Sequence, residues 1–314
     1  MNRLHLLLLS LALPCVLLSS CSSNPVAASD AGSDAGTGAG TDAGSSDAGD
    51  GGSCLPRATY GGGEVNTQEG SVTAFIVDEI GAPIAGGQPV YICGLNLCSA
   101  PSTTSDAGTA SITTNLSMKR PAFKYGDAIN YAEFAIPLTS GSTDFTANGT
   151  GTLGTGKLSD KPGAALTPGT SAISGDVTVA LAADAIVGID TLTYSTADQQ
   201  KFRAVNIPLT NLAPVLGNVT VSGAAANFAL VYGVAPAETT LCPPAQISVS
   251  LPQTLRWAAG AAVEFWITTS DVSQTYAPYG GWAWMSDGVV SPDGKRVTST
   301  QGFNLLENFA IRLK

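Results

Sequence analysis

Apolar and polar residues alternate along this chain in short runs, with no stretch at sustained helical spacing. Val72, Ala74 and Ile76 alternate with Thr73, Phe75 and Val77, a period of two that predicts a strand with two apolar faces. Asp78-Glu79-Ile80-Gly81-Ala82-Pro83 ends it as a turn. Val90 to Cys93, Ser111 to Thr114 and Tyr131 to Leu138 predict further strands, the second entered through the turn at Asp106-Ala107-Gly108. Toward the C-terminus the same reading predicts strands over 176–181, 191–194, 201–207, 218–221, 228–232, 246–251, 262–268, 289–290, 296–300 and 309–313. Ser291-Pro292-Asp293-Gly294 is a good hairpin turn between two of them.

Short strands at this spacing predict an all-β protein built as two antiparallel, Ig-like β-sandwich domains over residues 54–140 and 173–314. Residues 141–172 are rich in Ser, Thr and Gly and read as a linker or irregular connection, with Thr150 to Gly154 as a short edge strand. Residues 22–53 carry no aromatic and almost no aliphatic side chain. Nothing there repays the entropy of ordering, so the segment predicts a disordered stalk. Its aspartates lack the spacing of a calcium loop.

The N-terminus reads Met1-Asn2-Arg3, then an apolar run from Leu4 to Leu18 broken by His5, Ser10 and Pro14. That is short for a bilayer span and has the length and flanks of a secretory signal over residues 1–20. Leu18-Ser19-Ser20-Cys21 resembles the lipobox of bacterial lipoproteins. The resemblance implies cleavage before Cys21, diacylglycerol on its thiol and acylation of the new amine, so residues 21–53 become lipid anchor and stalk. Two or three acyl chains hold stably where one exchanges. By resemblance to known sorting rules, Ser22 in place of an aspartate leans toward the outer membrane. The expected location is therefore the cell envelope, with the membrane as a partner through lipid on Cys21.

Val77-x-x-x-Gly81-x-Pro83-Ile84-x-Gly86, a cysteine-bearing strand, and Thr104 to Ala110 resemble the carboxypeptidase regulatory-like, or transthyretin-like, β-sandwich. The resemblance implies a non-catalytic unit that stabilises or presents its neighbours. Gly175 to Leu181, Cys242 to Val249 and Ala259 to Glu264 resemble the ZU5-like sandwich repeats of exported bacterial proteins, though Ala182-Ala183-Asp184-Ala185 stands where that family carries a proline-containing element. The chain as a whole resembles uncharacterised bacterial lipoproteins with Asp/Ala/Gly/Ser stalks, which implies no activity.

Composition narrows the chemistry. The formal net charge is -10 with only 12% charged residues. That balance argues against nucleic acid and against electrostatic docking on anionic lipid. The one histidine is His5, so the mature chain has no Ser-His-Asp or Cys-His centre and no histidine-rich zinc site. No cofactor or metal is expected. Cys54, Cys93, Cys98 and Cys242 remain after the anchor, and four exported cysteines predict two disulfides with three pairings open. Cys93 and Cys98 enclose a tight loop at a strand end; Cys54 with Cys242 follows by elimination.

The densest aromatic segment is 276–285, with Tyr276, Tyr279, Trp282 and Trp284. Trp282 and Trp284 share a face if the strand is regular. Such rings form a ligand or partner surface for sugars or an envelope protein, or else fill a core short of large side chains. Glu264, Asp271, Asp287, Asp293 and Glu307 are available as hydrolytic carboxylates, with no local pattern that pairs two of them. The leading expectation is a membrane-anchored lipoprotein with a structural or binding role. A carbohydrate-binding module using the aromatic segment, and a carboxylate-dependent wall or polysaccharide hydrolase, are the alternatives.

Overall fold

The computed structural model describes residues 65–138, 141–146, 152–212, 216, 220–221, 224–225, 227–271, 274 and 276–314. Cys21, Cys54, the signal segment and the stalk lie outside these residues.

The N-terminal region contains β1 (Val65–Val77), β2 (Pro89–Cys93), β3 (Ser102–Thr103), β4 (Thr109–Lys119), β5 (Ala122–Tyr125), β6 (Phe134–Pro137), β7 (Thr143–Asp144) and β8 (Thr152–Gly154). The C-terminal region contains β9 (Ser171–Ser174), β10 (Val177–Ala180), β11 (Ile186–Gly188), β12 (Arg203–Asn206), β13 (Thr220–Val221), β14 (Ala224–Ala225) and β15 (Leu230–Ala235). It continues through β16 (Thr239–Ser250), β17 (Ala262–Thr268), β18 (Trp282–Val290), β19 (Arg296–Ser299), β20 (Phe303–Leu306) and β21 (Phe309–Leu313). The fold is all-β, dominated by antiparallel sheets in a sandwich-like arrangement.

The first sandwich follows directly from the alternating pattern. β1 pairs antiparallel with β4 from Val65↔Lys119 to Phe75↔Thr109. Val72, Ala74, Ile76, Ala110 and Ile112 turn inward, while Ser111 and Thr113 face solvent. The facing sheet runs β3-β2-β5-β6. Its inner side chains Val90, Ile92, Phe123, Tyr125, Phe134 and Ile136 close the core against the first sheet. Burying each of these larger side chains contributes about 1.5–3 kcal/mol.

The stretch expected as a linker is partly built into this sandwich. β7 and β8 pair parallel with β1, Leu153 and Leu158 are buried, and the Thr155 hydroxyl donates to Ala132 O. Tyr125, fully buried, donates through its hydroxyl to Gly154 O at 3.0 Å.

The larger sheet has the order β12-β15-β21-β17-β18-β19-β16-β10-β9, with β11 and β20 on the long strand β16. One core lies on its inner side, around Phe265, Phe303, Phe309, Ile247 and Val297. Its other side is not left to water. Val205, Ile207, Val231, Trp266, Trp282 and Ala310 join the core of the first sandwich. β15 is accordingly buried at all six positions and β21 at its first three, the continuous apolar reading of a strand covered on both faces. The described residues belong to one compact unit.

Residues 191–194, expected as a strand, form a turn instead. The Asp190 carboxylate accepts from Leu192 N–H at 2.9 Å, and Asp190 O accepts from Tyr194 N–H at 2.9 Å. An Asx-type turn outcompetes the ladder here because the acid offers the backbone a local partner. The hairpin at 291–294 forms as expected, with Gly294 at φ 70°. Cys93 and Cys98 are disulfide-bonded. Cys242 is also disulfide-bonded; Cys54, its expected partner, lies outside the described residues.

Candidate functional site

A cavity of about 340 Å³ opens where strand β5 meets four connections. β5 supplies Lys124, and the connection from β5 to β6 supplies Asp127, Ala128 and Glu133. The turn after β11 supplies Asp190, Thr193 and Tyr194. The β15–β16 turn supplies Ala237 and Glu238, and the segment after β17 supplies Ser270 and Asp271.

Each wall is fixed by local chemistry. Asp127 organises its loop: one carboxylate oxygen accepts from the N–H groups of Ile129 (3.2 Å), Asn130 (2.6 Å) and Tyr131 (3.0 Å). This holds Ala128 at φ 58°, a left-handed conformation that costs a non-glycine residue about 1–2 kcal/mol. Glu238 at the opposite turn sits at φ 60°. Strained backbone of this kind persists where the surroundings over-determine it, often at functional positions.

Lys124 and Glu133 form an ion pair at 2.7 Å, both side chains largely buried. The Lys124 ammonium is held above its usual range: burial opposes the charge, and the Glu133 carboxylate more than offsets it. Burial pushes the Glu133 carboxyl up and Lys124 pulls it back.

Beneath the cavity, Glu307 is fully buried. It accepts from Gln274 Nε2 at 2.9 Å, Asn308 N at 3.0 Å and Ser270 Oγ at 3.2 Å. Burial nonetheless raises its carboxyl to about 7. Neighbouring Asn308 joins the two regions, donating to Glu133 O at 2.5 Å while its Oδ1 accepts from Val234 N at 2.9 Å. Glu238 is raised to about 8, first by burial and then by the charges of Glu307, Asp271 and Glu133, against the pull of Lys124.

Tyr194 is buried, and its oxygen accepts from Ala237 N–H at 2.9 Å, which leaves the phenol O–H as a donor. Tyr279 is buried, and among the described residues its hydroxyl has no hydrogen-bond partner. The charges acting on that phenol are Lys124, Glu133, Asp271 and Glu238, all of the cavity wall. Gly280 makes this placement feasible: its φ is 74°, and a Cβ there would come within 2.8 Å of Ala135 O.

The sequence-predicted aromatic residues divide. Tyr276, Tyr279 and Trp282 are buried, and Trp284 is 45% exposed. Tyr276 donates to Thr268 O at 2.9 Å. Trp282 packs on Phe228 with ring centroids 5.1 Å apart. Trp266 and Trp284 are register partners, so Trp284 and Trp282 do share a face. Three of the four rings thus fill core, and Trp284 alone of them shows a broad surface to solvent. The core is otherwise short of large side chains, which is why it draws them in.

The five candidate carboxylates divide as well. Glu264 pairs with Arg312 at 2.7 Å, Asp287 with Lys314 at 3.0 Å, and Asp293 caps its own hairpin. Glu307 is buried and hydrogen-bonded to Ser270 of the wall, and of the five only Asp271 lines the cavity. Lys124, Glu133, Tyr194 and Glu238 complete it and were not singled out from the sequence. Their signal was a lone charge inside an apolar stretch, as in Phe123-Lys124-Tyr125 and Ala132-Glu133-Phe134. Among the described residues no cluster of carboxylates and cysteines has metal-binding geometry.

No family model and no curated protein matches the chain. A solved structure of a candidate carbohydrate-binding protein from Bacteroides uniformis aligns over 79% of this chain and 99% of its own, at 10% identity and a TM-score of 0.21. That likeness is too slight to bear on fold or activity.

Proposed function

We propose that this protein is an envelope-displayed binding protein whose cavity holds a small hydroxyl-rich ligand, neutral or carrying an amine. The observation that supports it is a polar cavity of small-molecule size lined by Lys124, Tyr194, Glu238 and Asp271. The wall mixes donors (Lys124 Nζ, Tyr194 O–H) with acceptors (Glu238, Asp271), which suits groups that donate and accept at once. Even with Glu238 protonated, the acids of the wall outnumber its one ammonium, which disfavours an anionic ligand. Calorimetric titration with glucosamine, glucose and glucuronate tests this reading, with Tyr194→Phe and Glu238→Gln as the variants that should weaken binding.

The location half of the proposal rests on Leu18-Ser19-Ser20-Cys21 following a secretory apolar run. Cys21→Ser should release the protein into the soluble periplasmic fraction. A variant that stays with the membrane would refute the anchor.

One observation favours a second reading, a carboxylate-dependent hydrolase. The Glu238 carboxyl, raised to about 8, is protonated at neutral pH as a general acid must be. That reading expects reducing ends to be released from wall polysaccharide, and the release to be lost in Glu238→Gln. No release between about pH 4 and pH 8 removes it.

A further inference from the structure

A second concave surface has the opposite electrostatic character. A groove of about 1180 Å³ runs between residues 250–257 and the β18–β19 hairpin. That exceeds the roughly 300–1,000 Å³ of small-molecule pockets and suits a length of chain. Half-buried Leu251, Leu255 and Trp257 give it an apolar floor that packs on the core of the larger sheet. Its exposed rim carries Arg256, Lys295 and Arg296.

These cations differ from most others in the protein. Lys124, Lys157, Lys161, Lys201, Arg203, Arg312 and Lys314 each have a carboxylate partner. Arg256, Lys295 and Arg296 form no ion pair among the described residues. The one acid of the lining, Asp293, is committed to the hairpin, accepting from Ser291 Oγ at 2.6 Å and Lys295 N at 3.1 Å. The groove is thus a cationic strip on a chain of net charge -10. Its frame is fixed by Leu251 N–H donating to Lys295 O at 2.8 Å and Ser291 N–H to Arg296 O at 2.8 Å.

We propose that this groove binds a segment of an anionic polysaccharide. The ligand's carboxylate or other acidic substituents pair with Arg256, Lys295 and Arg296, and the C–H face of a sugar ring lies on Trp257. Guanidinium groups match a carboxylate in a bidentate fork, and an indole offers the flat apolar surface a pyranose needs. A polymer with about one charge per sugar can use the local cations, whereas nucleic acid and anionic bilayers, far denser in charge, are opposed by the acidic remainder of the protein. The site is separate from the acidic cavity and does not depend on it.

The test uses the purified full chain and immobilised polygalacturonate at low salt, with its methyl ester as a neutral comparator and phosphatidylglycerol vesicles as a competing surface. Binding to polygalacturonate is expected. The ester should bind at least about tenfold more weakly, and each of Arg256→Ala and Arg296→Ala should cost about tenfold. Both arginines are exposed, so the melting temperature of these variants should match the parent and separate lost binding from lost folding. Absence of polygalacturonate binding overturns the proposal, as does equal retention of the neutral ester or an arginine double variant that binds unchanged. Preferential binding to the vesicles also overturns it, and makes the groove a lipid-headgroup site.

Discussion

The Lys124 ammonium and the Glu133 carboxylate lie 2.7 Å apart on the outer face of the β5–β6 pair, where the cavity begins. Both are largely shielded from water, so neither tolerates loss of the other. Lys124→Met should destabilise the protein by about 3 kcal/mol by leaving a buried carboxylate unpaired. Adding Glu133→Leu should recover most of that loss. Denaturant unfolding of the two single variants and the double variant measures the coupling, and additive losses would show that the pair does not act as a unit.

Stability should fall as the pH rises through neutrality. Glu238 and Glu307 have folded-state values of about 8 and about 7 against an ordinary 4.5. Their protonated forms are favoured by folding, so their contribution is complete below about pH 4.5 and is lost as the pH climbs through 7 and 8. Melting temperatures between pH 5 and pH 9 read this out, with Glu238→Gln flattening the decline. A wild-type profile that rises over this interval would contradict the assignment.

Asp127 carries the loop on one side of the cavity through hydrogen bonds from Ile129, Asn130 and Tyr131. Asp127→Ala should cost about 2 kcal/mol and increase amide exchange at these three residues. Asp127→Asn keeps the accepting oxygen and should cost clearly less. Equal losses would mean that the charge, and not the turn geometry, matters.

The Cys93–Cys98 bridge closes a short loop, with a sequence separation of 5. A loop of this size restricts the unfolded chain modestly, so replacing both cysteines with alanine should cost about 2 kcal/mol. A loss far beyond that would point to disrupted packing around Ala122, Ala135 and Tyr279, which cluster with Cys93.

Half-exposed strands were legible because one face meets water. The alternation of Thr109 to Thr114 is a direct image of its burial. Strands covered on both faces were harder. β15 was expected at 228–232 and runs Leu230–Ala235, through Gly233, because nothing in a continuous apolar run marks its ends. Pro243 and Pro244 hid the first half of β16, which tolerates them at a shift in its pairing with β20. The cavity was mostly invisible because its walls come from connections far apart in sequence. Asp271 and Glu307 were visible as acids, but their meeting with Lys124, Glu133 and Glu238 depends on the second sheet packing against the first sandwich. The aromatic segment was the most conspicuous feature, and packing took three of its four rings.

The most direct test of the central claim is calorimetric titration of the full chain with glucosamine, glucose and glucuronate, repeated on Tyr194→Phe and Glu238→Gln. The account predicts saturable binding in the order glucosamine, glucose, glucuronate, weakened by about tenfold in either variant. Glucuronate binding best, no binding by any of the three, or variants indistinguishable from the parent would contradict it.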